Sequence, residues 1–468
     1  MNTEKSKAEQ LKEELFLTKK HAALRLTEEA VKAADAFCEG YKAFLQEAKT
    51  EREVVSCAIA LAESQGFLPY DKARQYAPGD KLYLNNRGKS LILAMMGKKS
   101  LDEGLRIVAA HIDSPRIDIK PNPLYEDADL ALFKTHYYSW LKKYQWTAIP
   151  LALHGVIIKK DGESLAVRLG EDAEEPCFVI TDLLPHLGQK QGERKLSEGV
   201  AGEELNLLVG SRPFRDDKAS ELVKLNVLRL LNEKYGIIEE DFQSAELELV
   251  PAFPVRDVGL DRSLIGGYGH DDRVCAYPGL MALADAGIPE YTALTILADK
   301  EEIGSEGNTG MHSSFFRDFV ADLALQAGLQ AHDVLRRSEC LSADVNIAFD
   351  PSWPDVMEKR NAACLNQGLV LTKYTGSQGK LFASDASAEF VGKIRRLFNR
   401  EEVIWQTGEL GKVDEGGGGT VAKFIANLDV DVVDAGVPVL SMHSPFEVVS
   451  KLDVYMAYRG YRVFLEGK

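Results

Sequence analysis

Three short apolar runs, far apart in the chain, each end abruptly in histidine or acid. Ile107-Val-Ala-Ala110 leads into His111, with Asp113 two residues later; Leu294-Thr-Ile-Leu-Ala298 into Asp299-Lys-Glu301-Glu302; and Val437-Pro-Val-Leu-Ser-Met442 into His443. Apolar runs of this length without polar alternation read as strands buried on both faces, as in a sheet covered by helices. In open α/β sheets ligands bind outside the carboxyl ends of the strands. The three segments are therefore expected to converge on one rim. Asp271 and Asp272 in "GHDDR", where a turn becomes a helix, and Asp344 in "CLSADV", after another short apolar segment, are further candidates. Histidines and carboxylates collected in this way make a nitrogen/oxygen ligand set suited to zinc, cobalt or manganese.

Each feature alone has an ordinary explanation. A His-x-Asp pair arises often by chance, tandem glutamates favour the start of a solvated helix, and Asp-Asp at a helix entry is commonly a cap. Their joint occurrence at strand ends and helix entries is what points to a metal site.

The remaining chain supplies the frame. Its 468 residues exceed one compact core, so two domains are expected. From about Leu11 to Gln65 apolar residues recur at spacings of three and four, a helical pattern. Asn85-Asn86-Arg87-Gly88 between two apolar runs reads as a hairpin turn. Between residues 116 and 255 short β-like runs ("LALHGVIIKK", "SLAVRLG", "CFVITDLLP") accompany one amphipathic helix in "ASELVKLNVLRLLNEKYGI". After about Pro254, strands alternate with helices again. This pattern predicts a discontinuous α/β domain, residues 1–115 and 256–468, carrying a mainly β insertion, residues 116–255.

The formal charge of −16 opposes binding to nucleic-acid backbones and anionic membranes. No run approaches the roughly 18 apolar residues of a membrane span, and the charged N-terminus lacks the apolar core of a signal peptide. Six scattered cysteines without a C-x-x-C pair fit reduced thiols in a cytoplasmic protein.

"VAAHIDSPR", "GHDDR", "DKEEIGS", "SADV", "GKVDEGGGGT" and "MHSPFE" occur in this order along the chain. In these motifs the sequence resembles the aspartyl aminopeptidases, two-metal aminopeptidases of metallopeptidase family eighteen, and looks like a bacterial member. The resemblance implies a zinc-aminopeptidase-like α/β domain with an inserted dimerisation domain. It implies two divalent ions per subunit, zinc by expectation with cobalt or manganese as alternatives. His111 and Asp344 would hold one ion, Glu302 and His443 the other, and Asp271 would bridge them. Asp113 would orient His111 by accepting its distal N–H, and Glu301 would be the general base. His186, in "DLLPHLGQ", would reach across a dimer interface into the partner's active site. Substrates would be peptides with a free N-terminus, and the assembly a tetrahedral dodecamer.

Physical chemistry agrees with these roles: a carboxylate bridging two cations about 3.5–4 Å apart lets them acidify a shared water, and a neighbouring free carboxylate can accept its proton. Only the family pattern says that Glu302 rather than Glu301 is the ligand. A related deacylase or dipeptidase, or a non-catalytic shell, are the alternative readings.

Two segments stand apart from the pattern. Ser139-Trp140-Leu141 occupies a place where the family often has glycine. Lys380 could contact an acidic substrate side chain or simply be solvated. "DEGGGGT" lacks the Lys-Ser/Thr of a phosphate loop; we expect Gly416 to Gly419 to form a wall where main chain approaches the substrate.

Overall fold

Two of the three apolar runs become the centre of a nine-stranded sheet in the computed structural model, which describes residues 5–17, 19–216 and 218–468. Strand Leu105–His111 lies between Thr292–Ala298 and Glu339–Ser342, parallel to both, with Ala298 opposite His111 and Ser342 opposite Ala109. Their carboxyl ends therefore open on the same rim. Val108 and Ala110 point into a core shared with helices His270–Ala284 and Lys451–Leu465, whereas Ile107 and Ala109 meet Phe316 and Phe319 of helix Phe315–Gln326 on the other face. Burial on both faces explains why these strands show no polar alternation.

A second sheet of five strands runs in the order Arg256–Val258, Leu264–Gly267, Glu447–Ser450, Pro438–Leu440, Asn346–Ile347. The third apolar run belongs here: only Pro438–Leu440 is strand, and it is not part of the nine-stranded sheet. The two sheets are joined around Asp344, since Glu339–Ser342 is in one and Asn346–Ile347 in the other. Gly436 passes so close to this joint that a Cβ would stand 1.7 Å from the Asp344 carbonyl oxygen. Only glycine fits there.

All strands between Arg116 and Pro251 form a separate antiparallel sheet of seven, ordered Ser164–Leu169, Leu151–Ile158, Ala245–Pro251, Arg116–Asp127, Leu130–Tyr138, Leu207–Gly210, Val179–Ile180. It has its own core, with Phe133, Trp146 and Phe242 buried and helix Leu222–Tyr235 packed against it. The fold is thus an α/β domain combined with a mainly β domain.

The helical pattern over 11–65 is divided: Lys7–Leu15 buries no residue, and Glu28–Glu47 and Glu51–Ser64 follow. Thr27 and Thr50 start the latter two by accepting from the amides of Ala30 and Glu53. The junction with the β sheet is ionic and buried. Lys49 Nζ lies 2.7 Å from Glu171 and donates to the Pro251 carbonyl at 2.8 Å, while His154 sits between Glu53 (2.8 Å) and Glu171 (3.1 Å). All six cysteines are free thiols. Among the described residues no helix is long and apolar enough to cross a membrane.

Candidate metal centre

The nine-stranded sheet delivers His111, Asp113, Glu301, Glu302 and Asp344 to one rim; the five-stranded sheet delivers Asp271 and His443 to the same cluster. Donor atoms gather into two groups, His111–Asp271–Asp344 and Asp271–Glu302–His443, each with all its atoms within 4.8 Å of one another. Asp271 belongs to both. One of its oxygens lies 3.1 Å from His111 Nε2 and the other 3.2 Å from His443 Nε2. Glu301 belongs to neither group; its Oε2 is 3.9 Å from His111 Nε2.

Local structure explains why the tandem glutamates diverge. After Ala298 the chain turns through Lys300 at φ 66 into a single helical turn, Glu301–Ile303. The Asp113 carboxylate caps that turn, accepting from Glu301 N at 3.1 Å and from Glu302 N at 3.2 Å. It accepts from the Tyr138 hydroxyl as well, at 2.8 Å. The expectation for Asp113 is therefore refined: His111 Nδ1 is hydrogen-bonded to the main-chain carbonyl of Asp113 at 3.1 Å, with the carboxylate at 3.4 Å. Asp113 orients the histidine through its backbone and the glutamates through its side chain.

Other residues of the site carried no sequence assignment. Glu447, inside the "MHSPFE" motif, accepts from the amides of Asp271 (3.0 Å) and His443 (2.7 Å), tying the backbones of two candidate ligands to one carboxylate. Ser139 donates to Glu302 Oε2 at 2.7 Å, and the Trp140 carbonyl accepts from His443 Nδ1 at 2.7 Å. The segment that departs from the family pattern thus touches the site directly.

His186 lies elsewhere in the chain, on an exposed turn after Val179–Ile180. Lys380 is paired with Asp385 at 2.9 Å and lies over the Tyr374 ring. Gly416 and Gly417 are fixed by the protein's own backbone: added Cβ atoms would stand 1.9 Å from the carbonyl oxygens of Leu410 and Gly376 respectively. Gly418 and Gly419 have open space instead, with no atom closer than 4.0 Å to a Cβ on Gly418.

The residues fit divalent metal. Burial pushes the Glu301 carboxyl up to about 7 and holds Glu302 and Asp344 well above the carboxylate range, with neighbouring acids adding to the effect. Burial has the same tendency at Asp271, but His111 and His443 outweigh it and hold that carboxyl low. Glu302 Oε1 and Asp344 Oδ2 are buried without a hydrogen-bond partner. So many converging carboxylates repel one another unless cations lie between them, and two imidazoles with carboxylate oxygens are donors that zinc accepts.

Comparison with known proteins decides the family. The model of the family described as aminopeptidase I zinc metalloprotease (M18) matches residues 44–465. The chain belongs to the M18 family of aminopeptidases. It is therefore a metallopeptidase that hydrolyses peptide bonds. It is 49% identical over 454 residues to a probable M18 family aminopeptidase 1 of Clostridium acetobutylicum, covering 95% of this chain and 98% of that relative. The crystal structure of an M18 family aminopeptidase from Thermotoga maritima superposes with a TM-score of 0.92 at 45% identity, over 96% of this chain and 99% of that one. A Saccharomyces cerevisiae mApe1 dodecamer, 20% identical, shares the fold with a TM-score of 0.74 over 93% of this chain and 97% of its own.

Proposed function

We propose that this M18 aminopeptidase holds two divalent ions, zinc by preference, and uses Glu301 as the general base that removes N-terminal residues from peptides. The observation that carries the reading is Asp271, whose two oxygens face separate ligand groups. His111 and Asp344 would complete one position, Glu302 and His443 the other. The metal pair supplies the Lewis acidity that makes water nucleophilic near neutral pH.

The protein's residues provide the rest. Glu301, outside both ligand groups and only 16% exposed at its side chain, is free to take the water's proton and deliver it to the leaving amine. Asp113 fixes the turn from which that carboxylate projects, and Glu447 keeps Asp271 and His443 in register. Residues 1–115 with 256–468 would form the catalytic domain and 116–255 the assembly domain. His186 would act on the partner subunit's site by stabilising the oxyanion, and the exposed Leu183, Leu184 and Leu187 around it suit a buried interface. A tetrahedral dodecamer in the cytoplasm is the assembly this reading favours.

The test is Glu301→Gln, which keeps the shape and removes the proton acceptor. It should retain full metal content while kcat on aminoacyl substrates falls by about 10²–10⁴. Unchanged turnover would remove Glu301 as the base.

A further inference from the structure

Of the two ligand groups, one is held together locally and the other is not. His111 is braced by the carbonyl of Asp113, two residues along its own strand end, and Asp344 sits on the joint between the two sheets of the α/β domain. No hydrogen bond from the seven-stranded sheet or its loops reaches either side chain among the described residues; the nearest such link is Tyr138 to Asp113, one step removed.

Glu302 and His443 are braced by a different part of the chain. Strand Leu130–Tyr138 ends, and Ser139 turns the backbone through φ 70, a left-handed conformation that a serine side chain disfavours. The turn aims the Ser139 hydroxyl at Glu302 Oε2, 2.7 Å away, and it is the one hydrogen-bond donor to that carboxylate among the described residues. The next carbonyl, of Trp140, takes the Nδ1 proton of His443 at 2.7 Å and so leaves Nε2 free to face Asp271. The Trp140 residue itself is 88% exposed, so its burial does not hold the segment in place. His443, at 31% side-chain exposure, is the least enclosed of the ligands and gains most from an external brace.

We propose that Ser139 and Trp140 are positioning residues through which the β insertion sets the affinity of the Glu302–His443 metal position, leaving the His111–Asp344 position to the α/β domain alone. This rests on the two-metal reading above. Because coupling is reciprocal, an ion at that position also stabilises the insertion segment in its observed place.

The experiment is a zinc titration of metal-free protein against a chromogenic chelator. Outer partners of metal ligands are worth about 10–100-fold in affinity. In an Asp344→Asn background, which weakens the other position, Ser139→Ala should loosen the remaining ion by that factor; in a Glu302→Gln background it should change nothing. Ser139→Gly, which relaxes the left-handed backbone but also lacks the hydroxyl, should behave like Ser139→Ala. Equal weakening in both backgrounds, or none in either, overturns the proposal while the two-metal reading stands. A wild-type protein that binds a single ion overturns the two-metal reading and this inference with it.

Discussion

His154→Gln gives a test of the junction in which both size and sign are fixed beforehand. The imidazole is fully buried, with Nδ1 2.8 Å from Glu53 and Nε2 3.1 Å from Glu171. Burial disfavours its charge, but the two carboxylates outweigh burial and raise its pKa above 6.5, even with Lys49 and Arg168 close to the same acids. The Glu53 contact is a hydrogen bond between charged groups, worth about 1.5–3 kcal/mol, whereas the Glu171 contact is an ion pair outside hydrogen-bond geometry. Glutamine can keep part of the first and none of the second, so the loss should be about 2–4 kcal/mol at acidic pH. A raised histidine pKa means that this stabilisation is fully present below pH 6.5 and declines as pH rises through the folded value. The assay is urea denaturation of metal-loaded wild type and variant from about pH 5.5 to about pH 9. The difference between them should be largest at the acid end and shrink with pH. A constant gap, or one that widens toward alkaline pH, would refute the reasoning.

Three further outcomes follow from the site and its surroundings. Co-expressed His186→Ala and Glu301→Gln subunits should regain activity that neither homo-oligomer has, because a mixed interface restores one complete site; no recovery would return His186 to an ordinary loop residue. Gly417→Ala, at φ 127 with its Cβ driven 1.9 Å from the Gly376 carbonyl, should destabilise the fold by about 2–4 kcal/mol in a thermal melt. Gly418→Val meets open space and should instead raise KM or lower kcat with metal content and melting temperature retained; normal kinetics would mean that Gly418 and Gly419 do not line the substrate's path.

What could be read in the sequence follows from how each feature is encoded. His111, the tandem glutamates and Asp344 were accessible because uniform apolar runs announce doubly covered strands, and strand ends announce a rim. The mainly β domain was visible as a change from long helices to short β-like runs, and the strands between Arg116 and Pro251 pair among themselves. The sheet that receives His443 was not visible: the largely apolar run over residues 437–442 looks like a strand of the main sheet, yet Pro438–Leu440 pairs elsewhere. The Lys49–Glu171–His154–Glu53 chain was hidden too, since it joins residues over 100 positions apart whose charges look like surface residues in isolation. Ser139 illustrates the remaining limit. Its contact depends on a left-handed backbone, which a sequence announces through glycine and here assigns to serine. For "DEGGGGT", the geometry divides one motif into two tasks: Gly416 and Gly417 serve internal packing, and Gly418 and Gly419 remain for the outside.

The joint at Asp344 has a mechanical consequence. The candidate ligands come from both sheets, so a slide of one sheet past the other by a fraction of an ångström would change distances across both donor groups at once. Metal held there would act as a rivet, and its binding energy would also be cohesion of the seam between the sheets. Stripping the metal should therefore loosen the molecule along this line before any helix melts. Substitutions far from the chemistry that let the two sheets slip would then register first as a leaking metal centre.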